Sequence, residues 1–162
     1  MKEGDIVISE VEIERVVELY SDSLLRLAMH HVDNLAQAQD IVQDVFLKYV
    51  KHNKSFHDAD YERAWLFRIT INLCKDYHKH WWQKKRSDFP QNASLSTSKT
   101  DSILYEIRKL PRNQRNAIYL KYYEEMDTKE IAKILNAPEG TVSSWISRGK
   151  KVLRKELMKG EF

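Results

Sequence analysis

The segment 127–155 constrains the fold of this chain more than any other, because its pattern predicts two helices joined by a tight turn. Asp127 and Glu130 have the spacing of a helix N-cap with its capping box. Asn136 lies at the expected turn, and Pro138 stands at the first position of the next helix, where its fixed φ and missing amide hydrogen are tolerated. The spacing predicts two helices that cross steeply through a short connection.

The second helix of this pair has an apolar face and an opposite polar face. At about 100° per residue, Val142, Ile146 and Leu153 share the inner face with Gly149. In the first turn, small side chains leave the backbone amides open to a phosphate. The residues predicted to face DNA on these grounds are Gly140, Thr141, Ser144, Ser147, Arg148 and Lys151. The segment therefore predicts a helix-turn-helix that reads duplex DNA through the major groove, rather than an ordinary helical hairpin.

The rest of the chain is also predicted to be helical. Apolar residues recur at steps of three and four, and the pattern of strands is missing throughout. The further helices expected are 11–31, one capped by Asn34, 61–82, 103–109 and 114–123. Residues 87–102 contain Pro90 and many Ser, Thr, Asn and Gln, which is typical of a linker. We therefore expect an all-α fold of two small helical domains, residues 1–86 and 103–162, joined by a flexible linker.

Charge is strongly segregated along the chain. Residues 1–60 hold 6 Lys and Arg against 12 Asp and Glu, a net charge of −6. Residues 61–86 hold 7 against 2, and residues 103–162 hold 13 against 8, so each of these segments has a net charge of +5. Two basic segments, each beside a predicted helical motif, favour a polyanionic partner over merely solvated basic faces.

Several other kinds of protein do not fit the composition. A single cysteine, Cys74, excludes an internal disulfide, and six histidines show no HExxH spacing, so we expect no metal and no cofactor. No glycine occurs between residues 5 and 139, which excludes a glycine-rich phosphate loop there, and we expect no small-molecule substrate. The acidic first ten residues lack the pattern of a secretory signal, which predicts a cytoplasmic location.

Two separate segments resemble one family. The segment LPRNQRNAIYLKYYEEMDTKEIAKILNAPEGTVSSWISRGKKVLRKEL resembles the promoter-binding domain of bacterial sigma factors. Towards the front, AQDIVQDVFLKYV, the loop at Phe56 and YERAWLFRITINLCKDYHKH resemble the other sigma domain. The two domains occur in the family's order with only a linker between them, which is similar to the extracytoplasmic-function (ECF) group of the sigma-70 family. Residues 1–86 would then correspond to region 2, and residues 103–162 to region 4.

The resemblance implies roles for two sets of residues in the front domain. The polar face of the second helix corresponds to the surface that binds the clamp helices of RNA polymerase: Asp40, Gln43 and Asp44, with Ile41 and Phe46 near it. The pocket that captures a flipped base of the minus-10 element corresponds to Phe56, His57, Asp58, Asn72, Lys75, Asp76 and Lys79. An aromatic ring beside hydrogen-bonding and basic side chains suits the capture of a single strand. Phe56 could equally anchor the loop to the core, and Trp65 is expected in the core.

In the rear domain, the resemblance implies a surface that reads the minus-35 element. It comprises Lys121, Ser143, Ser144, Ser147, Arg148, Lys150 and Lys151. Ser143, Trp145 and Ser147 replace residues that are often arginine or bulky in the family, so promoter specificity cannot be transferred. Ser144 and Arg148 are the best candidates for base contacts, and Trp145 would either pack inside or touch the DNA backbone.

The implied partners are core RNA polymerase, through its beta-prime clamp helices and beta flap, and promoter DNA. The family also implies an anti-sigma factor, often membrane-bound. The protein would direct transcription initiation without performing chemistry. One alternative is a stand-alone regulator that binds a palindromic duplex without polymerase. Another is an enzyme acting on nucleic acid, which no nucleophile–base pair or metal-ligand spacing supports.

Overall fold

A computed structural model describes residues 9–32, 34–52, 56, 58–84 and 99–159. These residues form seven helices and contain no strand, which confirms the predicted all-α fold. The chain divides into two compact units, Met1–Ala93 and Ser94–Phe162. The region between Lys84 and Lys99, which includes most of the predicted linker, lies outside the described residues.

The first unit is built from three helices that all pack on one another. They are α1 (Glu10–His31), α2 (Leu35–His52) and α3 (Ala59–Lys84). Ser9 caps α1 by accepting the amide hydrogen of Glu12 at 3.3 Å. Asn34 caps α2 as predicted, because its Oδ1 accepts the amide hydrogen of Ala36 at 2.7 Å. The core between the helices is filled by fully buried apolar side chains, among them Val16, Leu24, Leu27, Val45, Leu66 and Phe67.

Helix α3 is apolar around most of its central part because it packs against both α1 and α2. Thr70 interrupts this apolar run yet is fully buried. Its hydroxyl donates to the carbonyl oxygen of Leu66 at 2.8 Å, which satisfies the polar group inside the core. Asn72, the other interruption, is exposed.

The second unit contains α4 (Lys99–Lys109), α5 (Arg112–Tyr122), α6 (Thr128–Leu135) and α7 (Glu139–Lys159). Helix α7 packs against each of the other three. A core cluster of Ile107, Leu110 and Ile118 joins α4 to α5, and Leu153 of α7 packs against it. Helix α4 begins four residues before the predicted start at residue 103, inside the predicted linker, because the polar residues there form its first turn.

The turn between α6 and α7 has the cap and the turn residue that the sequence predicts, but α7 begins one residue later. Asp127 Oδ1 accepts the amide hydrogen of Glu130 at 2.8 Å. Asn136 adopts the left-handed conformation (φ 52°, ψ 53°), which asparagine tolerates better than most residues. Pro138 directly precedes α7 rather than opening it, and its carbonyl oxygen accepts the amide hydrogen of Val142 at 3.1 Å.

Gly149 lets α7 approach α5 closely. A Cβ added at this position would collide with Cδ1 of Ile118 and lie 3.5 Å from Cδ1 of Leu110. Ile118 is only 1% exposed, so it has no room to move aside. Glycine is therefore required at residue 149 by packing and not by backbone conformation.

Candidate nucleic-acid interface

The two faces of α7 separate as the sequence predicts. Val142, Ile146 and Gly149 are buried against the rest of the second unit. Because the helix turns by about 100° per residue, the residues between these positions lie on the opposite face. That face is exposed and comprises Gly140, Ser143, Ser144, Ser147, Arg148, Lys150 and Lys151. Its side chains are short except for the basic ones, so a DNA groove could approach the helix closely.

The first turn of α7 leaves room for a close neighbour. A Cβ added at Gly140 would meet no atom within 4 Å, and Thr141 beside it is half-buried. The first amide hydrogens of a helix have no partner within the helix and favour an anion. The predicted phosphate contact at Gly140 and Thr141 is compatible with this open space.

Two other residues of the predicted minus-35 surface are partly restrained. Lys121, near the end of α5, is half-buried. The Nζ atom of Lys150 lies 5.2 Å from the ring centroid of Tyr122, which holds part of the lysine side chain against the aromatic face. Trp145 is half-buried, so its environment supports either of the two roles considered for it.

Lys129 and Lys133 add positive charge beside the turn, and the sequence prediction did not include them. Both are exposed, and their spacing of four places them on one face of α6. In a helix-turn-helix the first helix crosses the DNA backbone, so lysines here would contact phosphates rather than bases. The signal in the sequence was this pair of lysines with i, i+4 spacing.

In the first unit, Phe56 lies in an aromatic cluster formed by α2 and α3. Its ring is nearly parallel to that of Tyr49, with centroids 5.9 Å apart, and to that of His52, with centroids 5.2 Å apart. Trp65 approaches the Phe56 ring at 5.5 Å and the His52 ring at 4.7 Å. Trp65 is half-buried, so it lies at the edge of the core and not inside it as expected. Phe56 is itself half-buried, so anchoring and base contact are both open to it.

Tyr61 is an exposed aromatic residue that the sequence prediction missed. It is 60% exposed, and its ring centroid lies 6.2 Å from that of Phe56. Its amide hydrogen is accepted by Asp58 Oδ1 at 2.7 Å, so Asp58 caps α3 as well as lying in the predicted pocket. Aromatic side chains bind single strands by base stacking, which makes Tyr61 a candidate for the same site. His57, another predicted member, lies outside the described residues.

One face of α3 carries the other polar members of this predicted pocket. Asn72, Lys75 and Asp76 are all exposed, and their spacing of three and four places them on one face of the helix. Arg68, four residues before Asn72, shares that face. Lys79 continues the series, although its side chain lies outside the described part of the structure.

The buried carboxylate of Glu62 joins the three helices behind the aromatic cluster, through an ion pair with the exposed Arg15 and a hydrogen bond from Tyr49. Arg15 of α1 donates to both carboxylate oxygens of Glu62, at 3.2 and 3.0 Å, and the Tyr49 hydroxyl donates to Glu62 Oε2 at 3.0 Å. The hydrogen bond to Glu62 is the main cause that raises the pKa of the Arg15 guanidinium above its usual range. Burial first, and the bond to Glu62 second, raise the pKa of Tyr49 to about 12. This Arg15–Glu62–Tyr49 network was not predicted from the sequence.

The polar face of α2 is exposed where the sequence predicts a polymerase surface. Asp40, Gln43 and Asp44 are exposed, and Leu47, 52% exposed, continues the same stripe. Phe46 is half-buried at its border. The expectation for Ile41 needs correction: it is only 3% exposed, because helical periodicity places it with the core-facing residues of α2. The signal in the sequence was the position of Leu47, which continues the helical spacing of the polar residues Asp40, Gln43 and Asp44.

Asp40 of α2 lies within electrostatic range of Tyr77 on α3. Burial, and then the charge of Asp40, raise the pKa of Tyr77. Asp40 therefore extends its electrostatic influence to the helix that carries the predicted single-strand pocket.

Within the described residues, no group of three or more His, Cys, Asp and Glu side chains could hold a metal ion. None of the described helices has both the length and the apolar character needed to cross a membrane.

Comparisons with known proteins match each of the two units to a protein family. The sigma-70 region 2 family matches residues 16–83, and the sigma-70 region 4 family matches residues 100–153. The ECF RNA polymerase sigma factor SigW of Bacillus subtilis is 31% identical over 166 residues, covering 88% of this chain and 87% of that protein. The RNA polymerase sigma-E factor of Streptomyces coelicolor is 28% identical over 158 residues, covering 91% of this chain and 87% of its own length.

Solved structures show the same fold. The sigma factor RpoE of Bartonella quintana, solved with the anti-sigma factor NepR, has a TM-score of 0.74 at 23% identity and covers 91% of this chain and 97% of its own. CnrH, solved with the cytosolic domain of CnrY, has a TM-score of 0.73 at 24% identity and covers 93% of this chain and 90% of its own.

Regions 2 and 4 in this order, on two helical units, define a sigma factor of the sigma-70 family. With the similarity to SigW, the chain belongs to the ECF group of RNA polymerase sigma factors. It is an alternative sigma factor that binds core RNA polymerase and directs transcription initiation at particular promoters. The stand-alone regulator considered above is not favoured by these findings.

Proposed function

We propose that this sigma factor contacts its promoter through two separate surfaces and polymerase through a third. The exposed face of α7 would bind the minus-35 duplex, the Phe56 cluster with the exposed face of α3 would hold a base of the minus-10 strand, and the polar face of α2 would bind the clamp helices. The observation that carries the proposal is the division of α7. Its buried face docks the helix on the second unit, and its opposite face offers small and basic side chains to solvent.

Arg148 is proposed as the main base-reading residue of the minus-35 surface. It is exposed on α7, close enough to the start of the helix for its guanidinium to enter a major groove. A bidentate contact to a guanine discriminates against the wrong base by roughly 1 to 3 kcal/mol. Ser144 and Ser147 are short, so they would let the helix approach the base edges and contribute weaker hydrogen bonds.

Arg148→Ala tests this proposal, with Arg154→Ala as the matched control on the same helix. Arg154 is also exposed but lies six residues, or about 9 Å, further along the axis. In holoenzyme, Arg148→Ala should reduce the affinity ratio between the native minus-35 duplex and a scrambled one by roughly tenfold or more. Arg154→Ala should leave that ratio unchanged and leave core binding intact. Equal loss of promoter and core binding in Arg148→Ala would show that the helix is misassigned.

The acidic stripe of α2 is proposed as the surface for the polymerase clamp helices. Asp40 and Asp44 provide charge for a basic partner, while Leu47 provides an apolar contact that the partner would bury. Asp44→Lys should weaken core binding more than Asp22→Lys, an exposed acidic position on α1 that serves as the control. Native gel titration with core polymerase measures both. Equal affinities for the two variants would exclude this face.

For the minus-10 strand, the aromatic cluster and the polar face of α3 supply complementary contacts. Phe56 or Tyr61 would stack on the base, and Asn72 and Asp76 would form hydrogen bonds to it. Lys75 would contact the backbone phosphates. Tyr61→Ala should weaken binding to forked minus-10 DNA and leave binding to the minus-35 duplex unchanged, which separates the two surfaces in one pair of measurements.

An anti-sigma factor is proposed as the regulator of this chain. The neighbouring structures of RpoE and CnrH were solved with NepR and with the cytosolic domain of CnrY. A partner that covers α2 or α7 would block polymerase or DNA directly. We infer that the protein acts in the cytoplasm, where polymerase and DNA are found, and performs no chemistry itself. Addition of the candidate inhibitor to run-off transcription should abolish promoter-specific initiation and displace the chain from core enzyme.

A further inference from the structure

Tyr49 connects the proposed base-capture site to the interior of the first unit. Its ring is nearly parallel to that of Phe56, at an interplanar angle of 16°, and meets Trp65 edge-on at 6.2 Å. The side chain is only 5% exposed, so its position is determined by its neighbours and not by solvent. The two rings lie in the same cluster, so the position of the Tyr49 ring limits the positions open to the ring of Phe56.

The hydroxyl of Tyr49 is held by Glu62. The carboxylate of Glu62 is 6% exposed and accepts hydrogen bonds from Tyr49 on one side and Arg15 on the other. Arg15 belongs to α1, Tyr49 to α2 and Glu62 to α3, so the network fixes all three helices behind the cluster. These bonds, at 3.0 to 3.2 Å, are of ordinary length, but bonds to a charged carboxylate are stronger than neutral ones, so they tether the Tyr49 hydroxyl to Glu62.

A buried carboxylate is an inefficient way to stabilise a fold. Its desolvation offsets most of the gain from its partners, and apolar residues of the same volume often stabilise a core as well or better. What the charged network supplies is geometry, because hydrogen bonds specify distance and direction where apolar packing does not. Its placement directly behind the Phe56 cluster indicates where that geometry is used.

We propose that Glu62 is a positioning residue for strand capture, which acts through Tyr49 to fix the plane of Phe56 against which a flipped base is held. The inference rests on the proposed function of the Phe56 cluster. Glu62 itself touches no DNA in this scheme. Its effect would therefore appear in the preference for an intact base and not in the general affinity for a charged strand.

Tyr49→Phe tests the tether, and Tyr20→Phe is the matched control. Tyr49→Phe keeps the ring and removes only the hydroxyl. Tyr20 is also buried, and burial first and the charge of Glu62 second raise its pKa, but it lies on α1 and is not among the rings packed on Phe56. If the network only stabilises the fold, the two variants should change the preference for an intact base to a similar extent. If the network positions Phe56, only Tyr49→Phe should reduce that preference.

The measurement uses holoenzyme and forked promoter DNA in which each minus-10 position is made abasic in turn. The ratio of affinities for the intact and abasic forks reports base capture, while affinity for the abasic fork reports general strand binding. All variants are compared at a temperature well below their unfolding midpoints. Tyr49→Phe should reduce the ratio at the captured position by roughly fivefold, part of the stacking contribution of one base. Tyr20→Phe should leave it unchanged.

Glu62→Gln provides a second, independent variant. It keeps the shape of the side chain and one acceptor oxygen but removes the charge that holds Arg15, so the capture ratio should fall in the same direction as in Tyr49→Phe. Equal intact-to-abasic affinity ratios in wild type, Tyr49→Phe and Glu62→Gln would overturn the inference about Glu62 and leave the proposed function of the cluster standing. A wild-type holoenzyme without preference for an intact base at any minus-10 position would overturn the proposed function of the cluster and this inference with it.

Discussion

Tyr49 links the stability of the first unit to pH. Burial and the bond to Glu62 raise its pKa from 10.0 to about 12, so the native state keeps a proton that the unfolded chain loses near pH 10. The stabilisation is complete below pH 10 and is lost as pH rises from 10 to 12. The slope is at most about 1.4 kcal/mol per pH unit.

The stability advantage of wild type over Tyr49→Phe should therefore shrink between pH 10 and pH 12 and be constant from pH 7 to 9. Urea unfolding of both proteins at a series of pH values measures it. Subtracting the variant removes the common contribution of lysines and other tyrosines. A constant difference up to pH 12 would show that the Tyr49 hydroxyl is not buried against Glu62 in solution.

Gly149 is the glycine of α7 whose replacement should destabilise the second unit. Gly149→Ala places a methyl group against Ile118 in a filled core and should destabilise the unit by roughly 1 to 3 kcal/mol. Gly140→Ala, on the same helix, meets open space and should not destabilise it, since alanine favours helix by up to about 1 kcal/mol. Thermal unfolding of the two variants side by side tests the packing argument. Similar midpoints would contradict it.

At the scale of single elements, α6 depends on its cap. The helix has only eight residues, so one hydrogen bond at its start is a large share of its stabilisation. Asp127→Ala removes the bond to the Glu130 amide and should cost about 1 kcal/mol, while Asp127→Asn can still accept it. Urea unfolding measures the stability of both variants. An equal loss of stability in Asp127→Ala and Asp127→Asn would show that the charge of Asp127, and not its hydrogen bond, stabilises the helix.

The helices themselves were largely predictable because each carries its own local signal. The Asn34 and Asp127 caps, the Asn136 turn and the two faces of α7 are encoded by residue type and spacing over a few positions. The start of α4 was missed, since its first turn is polar and resembles a linker. Ile134 was also missed as a core residue: it is 3% exposed because α6 packs against both α5 and α7, which widens its buried face.

Contacts between helices were the part that spacing could not predict. Arg15 and Glu62 are 47 positions apart, and a charged pair so distant has no periodicity to reveal it. The exposure of Tyr61 likewise depends on how α2 and α3 pack. For the same reason the sequence indicated the candidate surfaces but not the residues that support them from behind.

At the scale of the whole molecule, each unit is proposed to supply one promoter contact, and polymerase is expected to hold both. Neither contact need be strong, because binding at one element raises the effective concentration of the other surface at its own element. Such linkage increases affinity by roughly 10²- to 10⁴-fold when the geometry permits both contacts. The exposed face of α7 has mostly short side chains, and Arg148 is the one strong base-reading residue proposed there. Such a face suits a contact that is weak by itself and is assisted by the second contact.

This linkage predicts a non-additive result. Five base pairs inserted between the minus-35 and minus-10 elements rotate one by about half a turn relative to the other. Wild-type holoenzyme should then lose most of the affinity that comes from binding both elements at once, and its affinity should approach that for DNA without a minus-35 element. Arg148→Ala has already weakened the minus-35 contact, so the same insertion should cost the variant far less. A double-mutant cycle of protein variant against spacer, measured by promoter binding, gives this coupling directly. If the two losses simply add, α7 is not the surface that reads the minus-35 element, because a contact broken by rotation cannot be weakened a second time by substitution.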